Sequence, residues 1–192
     1  MTIRSSPTSN EIKTTIDSAL DILTPALRTL NHHIYSNPET AYNEHHAHDS
    51  ICTFLESLPT THPTLFPDIT ITRHAYSLPT SFEAIAGTGT GGRMVNFNAE
   101  YDALPGIGHA CGHNLITTSS VAGFLGLAAL LKKFGGEGRV QLLGTPAEEN
   151  GGGKARLVEE GAYEGVAGSL MACVPFPFYP VLFFPLMSFI EA

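Results

Sequence analysis

Along the first third of the chain, hydrophobic positions recur at helical spacing. In IKTTIDSALDILTPALRTLNHHIYSN, Ile16, Leu20, Ile22, Leu23, Leu27 and Leu30 approximate one apolar stripe. Asn10 is placed to cap that helix and Pro25 to kink it. Asn37-Pro38 breaks the pattern. A second helix is expected from near Thr40, carrying Ile51, Phe54, Leu55 and Leu58, followed by a proline-rich loop over 59–68. ITITRHAYSL and SFEAIAG then read as two strands joined at Pro79.

The pattern sharpens after Gly91-Gly92. Arg93 to Asn98 predicts a strand, which runs into Glu100-Tyr101-Asp102 and stops at Leu104-Pro105-Gly106. The loop GIGHACGHN follows, then a long apolar helix rich in small residues from Leu115 to Phe134. Arg139 to Gly144 is a second strand, ending in Thr145-Pro146-Ala147-Glu148-Glu149. Asn150 and three glycines lead into a helix from Lys154 to about Gly161, and Ser169-Leu170-Met171 opens another strand. Strand alternating with helix is the signature of an α/β layer with parallel neighbours. In such layers ligands sit at the carboxyl ends of the strands. Glu100 and Asp102 leave one strand there, Glu148 and Glu149 leave another, and the HACGH loop opens a helix in the same layer. Three polar clusters therefore converge on one rim.

Composition narrows the function classes. The chain has 192 residues, of which 43% are hydrophobic, enough for a sizeable core. Ten Lys and Arg against 18 acids give a net charge of −8, and no basic run exceeds Lys132-Lys133, so no nucleic-acid surface is expected. Cys52, Cys111 and Cys173 are odd in number and widely spaced, which is no disulfide framework and points to a reducing, cytoplasmic setting. Met1 to Asn10 does not read as a secretory signal. At the far end, nineteen residues from Ala172 to Ile190 carry no charge, close to the length of a membrane span. Pro175, Pro177, Pro180 and Pro185 interrupt them, so a membrane helix is not the expectation.

The rim residues are of the types that bind metal. Cys111 and His113 sit two apart around a glycine, and thiolate, imidazole and carboxylate are the usual ligands of Zn²⁺ and related ions. Adjacent residues leaving a strand point in opposite directions, so one member of Glu148-Glu149 can ligate a metal while the other reaches a water. The metal then polarises an amide carbonyl and the free Glu takes the proton of the attacking water. Glu100 and Asp102, at period-2 spacing, face the same way and suit the orienting of a ligating histidine. Each pair also has a plain alternative: a buried thiol beside a chance histidine, an exposed acidic turn, a solvated strand end.

These stretches resemble the metallopeptidase family that includes aminoacylases, carnosinases and carboxypeptidase G. The likeness is to its amidohydrolase branch, with the auxin-amide and aminobenzoyl-glutamate hydrolases. NAEYDALPGIGHACGHN is similar to that branch's D-x-D-A-L-P and H-A-C-G-H-D stretches, GTPAEENGGGKARLVEEGAYEGV to its P-A-E-E-G-x-G-G-A/K stretch, and HHIYSNPETAYNEHHA to its H-x-x-P-E-L-x-x-x-E segment. Asn114 in place of the usual Asp, and Glu100-Tyr101 in place of Asp-Met, resemble the dipeptidases acting on β-alanyl and other dipeptides with basic residues.

The resemblance implies a metal-dependent amide or peptide-bond hydrolase using one or two divalent ions, Zn²⁺ or Mn²⁺, on a small dipeptide or N-acyl amino acid. Cys111, His113 and Glu149 would be metal ligands, Glu148 the general base, Asp102 and Glu100 site-shaping groups, and His109 structural. It also implies a three-layer zinc-peptidase-like catalytic domain with a mostly parallel central sheet and flanking helices. The family's further histidine ligands have no counterpart, since Cys173-Val174-Pro175 stands where histidine-proline is expected and no His follows His113. Residues 1–172 are therefore expected to be the first part of such a domain and 173–192 an unrelated hydrophobic tail, with the lid and most of the homodimer interface absent and activity weak or absent. Two alternatives stand beside this: a non-catalytic fragment that binds metal or a partner, and a cysteine hydrolase using Cys111 with His109 or His113 as base.

Overall fold

The computed structural model describes residues 6–87, 89 and 91–173; the tail expectation for 174–192 lies outside the described residues. Helix α1 (Ser9–Ser36) is capped by Thr8, whose side chain accepts from the Glu11 amide while the Glu11 carboxylate accepts from the Thr8 amide. Asn10, the expected cap, lies inside the helix. The helix continues through Pro25 and buries Thr15, Ala19, Leu23, Leu27, Leu30 and Ile34, whereas Ile22 is exposed. Helix α2 (His45–Thr61) begins later than expected and runs through Pro59.

Strand β1 (Thr70–Arg73) ends early because His74, Tyr76 and Ser77 adopt positive φ, which breaks an extended run. It pairs antiparallel with β2 (Phe82–Ala86). Strands β3 (Met94–Ala99), β4 (Arg139–Gly144) and β5 (Val166–Leu170) are the strands that alternate with helices. They pair in parallel, β3 with both β4 and β5. Strand β2 joins β4 antiparallel, so the sheet order is β1-β2-β4-β3-β5 and the sheet is mixed. The parallel part matches the expectation from the alternating pattern, and the antiparallel part comes from the early hairpin.

Alternation along the strands divides the layers. Phe82, Ala84, Ala86, Val140 and Leu142 join the main core with Val121, Phe124 and Leu125 of α3 (His113–Phe134) and with residues of α1 and α2. On the opposite face Leu143 meets Leu157 of α4 (Gly153–Glu159) and Ala162. Helix α3 is long and apolar enough to cross a membrane, yet it packs against α1, β3 and β4 and buries more than half of its most apolar window. Its apolar character on nearly every side is what a core helix between neighbours requires. Both β3 and β4 therefore deliver their carboxyl ends to the same rim as the first turn of α3.

Candidate metal centre

His113 is the first residue of α3, and the preceding Gly112 has φ 80°, a left-handed conformation that glycine adopts at little cost. That turn aims the imidazole into the rim, where it is buried. Its Nδ1 lies 3.0 Å from Asp102 Oδ1 and 2.8 Å from the Asp102 carbonyl. With the Nδ1 proton donated there, Nε2 is left as a lone-pair donor facing the opening. Around Nε2 stand three carboxylates: Glu100 at 3.6 Å, Glu148 at 3.7 Å and Glu149 at 3.8 Å.

Two donor groups result. Cys111, His113 and Glu149 bring ligand atoms within 4.8 Å of one another, and so do Glu100, His113 and Glu148. Every ligand expected from the sequence falls in the first group. Thiolate, imidazole and carboxylate suit a zinc-like ion, so the residues fit the metal that the resemblance implies. Glu148 and Glu149 do not diverge as expected of strand residues. They lie in a turn beyond β4 and both reach towards His113, Glu148 being the more exposed at 39% against 26%.

Electrostatics follow the geometry. Burial opposes ionisation of Asp102, but the His113 ring and the Glu149 amide, which donates to Oδ2 at 2.9 Å, hold its carboxyl below the usual range. Burial likewise disfavours the His113 imidazolium, yet the hydrogen bond and charge of Asp102, with the charge of Glu100, raise it. Burial pushes the Cys111 thiol up, and its hydrogen-bond acceptor is the Asp102 carbonyl at 3.7 Å, not an imidazole. A cysteine nucleophile needs the opposite shift and a base beside it, so the structure lends that alternative no support. His109 is buried outside both donor groups, and burial lowers its pKa. Asn114 turns away from the rim and donates to Asn31 Oδ1 of α1 at 2.8 Å.

Several residues with a part in the site were not singled out from the sequence. Glu44 is fully buried and accepts from the Ala147 amide at 2.8 Å, the Tyr42 amide at 3.0 Å and the Thr80 hydroxyl at 2.8 Å. Ala147 itself has φ 58°, an unusual conformation immediately before the Glu148-Glu149 turn that Glu44 helps to hold. The Tyr42 hydroxyl donates to the Gly151 carbonyl on the far side of the same turn. Glu39 caps α2 by accepting from the His46 and Ala47 amides, and its carbonyl accepts from Ala103, just after Asp102. Lys154 forms an ion pair with Glu100. The only sequence signal for Glu39 and Glu44 was their place in the HHIYSNPETAYNEHHA stretch.

Residues 96–182 match the family described as Peptidase family M20/M25/M40. That match takes in the loop of Cys111 and His113 and the turn of Glu148 and Glu149. Over 160 residues it is 41% identical to the Xaa-Arg dipeptidase of Mus musculus, a match covering 80% of this chain and 36% of that protein. It is 30% identical over 177 residues to a p-aminobenzoyl-glutamate hydrolase polypeptide of Escherichia coli, covering 83% of this chain and 34% of that one. The chain thus spans about a third of the length of these curated relatives. Among solved structures, a dinuclear metal-binding peptidase of the M20 family from Bacillus subtilis superposes with a TM-score of 0.62 at 25% identity, over 78% of this chain and 42% of that chain.

The three thiols offer a simple check on the packing. Cys52 is fully buried and its pKa is pushed up to about 12 by burial, Cys111 is half-buried and Cys173 is exposed. Native alkylation should modify Cys173 first, Cys111 more slowly, and Cys52 only on unfolding. Mass spectrometry showing Cys52 labelled as fast as Cys173 would contradict this arrangement.

Proposed function

We propose that the rim is the metal centre of an amide-bond hydrolase whose substrates are dipeptides or N-acyl amino acids, in keeping with the curated relatives. The observation that carries this is the His113 imidazole. Its Nδ1 is engaged by a buried Asp, its Nε2 faces three carboxylates, and the Cys111 thiol lies within reach of the ring. Cys111, His113 and Glu149 would hold Zn²⁺ or Mn²⁺, which when bound supplies the positive charge that polarises an amide carbonyl and acidifies water. Glu148 is the general base, exposed enough to meet water and close enough to the ligands to act beside them. Asp102 fixes the imidazole tautomer and, through the Glu149 amide, the turn that carries both glutamates. Among the described residues the donor set holds a single imidazole, so turnover is expected to be weak.

The test loads the 192-residue chain with Zn²⁺ or Mn²⁺ and follows hydrolysis of a dipeptide ending in a basic residue. Slow, chelator-sensitive turnover that falls by about 100-fold or more in Glu148→Gln is expected. Turnover that survives both chelation and Glu148→Gln would overturn the assignment. Zinc binding with no detectable hydrolysis would instead favour a metal-binding chain without catalysis.

A further inference from the structure

The two donor groups share one residue, His113. His113 Nδ1 is committed to Asp102, and Nε2 has one lone pair, so His113 can ligate only one ion at a time. An ion must therefore use either the Cys111–Glu149 side or the Glu100–Glu148 side of the ring. The two sides differ in chemistry. The first includes a thiolate and suits softer, zinc-like ions, whereas the second offers carboxylates alone beside the imidazole and suits harder ions such as Mn²⁺.

The sides also differ in what already occupies them. Glu100 faces Nε2 through Oε2, while its other oxygen, Oε1, is paired with the Lys154 ammonium. Glu100 is buried, and its backbone carbonyl is tied down by the Thr117 hydroxyl, so the carboxylate is fixed in place. Lys154 lies on α4, directly after Gly153, where a Cβ would fall 1.8 Å from the Pro146 carbonyl. That close approach draws the start of α4 up to the rim and carries the ammonium onto Glu100. Among the described residues, no Lys or Arg is paired with Cys111 or Glu149.

We propose that Lys154 is a positioning residue that occupies Glu100, directs the bound ion to the Cys111 side of His113, and so makes the centre prefer zinc-like over manganese-like ions. The inference rests on the metal-centre assignment above. An ammonium and a divalent cation at one buried carboxylate repel each other, and the side without the ammonium wins.

The experiment measures Zn²⁺ and Mn²⁺ affinity of the 192-residue chain by titration, and the thiolate-to-cobalt charge-transfer band of the Co²⁺-loaded chain. Lys154→Met should raise Mn²⁺ affinity about tenfold or more and weaken the cobalt–thiolate band, as the ion shifts towards Glu100. Lys154→Arg, which keeps the charge, should preserve the wild-type preference. Adding Glu100→Gln to Lys154→Met should abolish the gained Mn²⁺ affinity. Arg156→Gln removes a positive charge from the same helix while leaving Lys154 in place, and should change little. Unchanged Mn²⁺ affinity and an unchanged band in Lys154→Met would overturn the inference while leaving the metal centre standing, as would an equal gain in Arg156→Gln. No ion bound by any variant or by the wild type would overturn both.

Discussion

Replacing Glu44 by Ala should destabilise the chain by about 3–4 kcal/mol, the cost of leaving several buried donors without an acceptor. Its carboxylate takes hydrogen bonds from the Ala147 and Tyr42 amides and the Thr80 hydroxyl, and so ties three separate parts of the chain to one point. Burial pushes the Glu44 carboxyl up, with the hydrogen bonds from Thr80, Ala147 and Tyr42 opposing that rise. The side chain is thus kept for its acceptor atoms despite an unfavourable setting for charge. Glu44→Gln retains one acceptor oxygen of the right length and should lose only about 1–2 kcal/mol. Urea unfolding of the three proteins measures the difference. A loss under about 1 kcal/mol for Glu44→Ala would show that the turn holding Glu148 and Glu149 is fixed by other contacts.

The largest effect on metal affinity is expected at His113. It belongs to both donor groups, whereas Cys111 and Glu149 belong to one and Glu100 and Glu148 to the other. His113→Ala should therefore weaken Zn²⁺ binding by more than about 100-fold, with Cys111→Ser costing less because His113 and Glu149 remain. Asp102→Asn keeps the size of the residue but lets its amide nitrogen face His113 Nδ1, disturbing the tautomer that presents Nε2. A loss of about 10–100-fold is expected there. Calorimetric titration, with circular dichroism to confirm folding, gives all three values. A greater loss in Cys111→Ser than in His113→Ala would overturn the shared position of the imidazole.

How much of this was legible depended on the distance over which each feature is determined. Helix α3 and strands β3 and β4 follow from local periodicity, and their ends fall within a few residues of the expected ones. The shortened β1 was not legible, because positive φ at His74, Tyr76 and Ser77 involves no glycine and leaves no mark in the sequence. Helix α2 begins at His45 because Glu39 reaches across seven and eight positions to cap it, a contact no helical pattern encodes. Cys111 and His113 could be read from motif chemistry, Glu149 rather than Glu148 only from the family resemblance, and the structure brings the three together. Glu44 and Lys154 could not be assigned roles, since their partners Ala147 and Glu100 lie 103 and 54 positions away. The convergence of Glu148 and Glu149 was missed for a related reason: strand geometry was extended into a turn.

The lock on the donor turn has a consequence for assembly. Cys111 and His113 take their shape from one loop and one helix start, so that half of the centre costs little chain entropy to close. The other half waits for Glu44 to meet Ala147 across more than half of the chain, a closure that adds to contact order and slows the search. An ion offered during refolding would therefore meet the thiol and imidazole first and gain Glu149 only when the first two helices have docked. Release of an ion held there would then report loosening of the chain near Glu44, which withdraws Glu149, a candidate ligand over a hundred residues away.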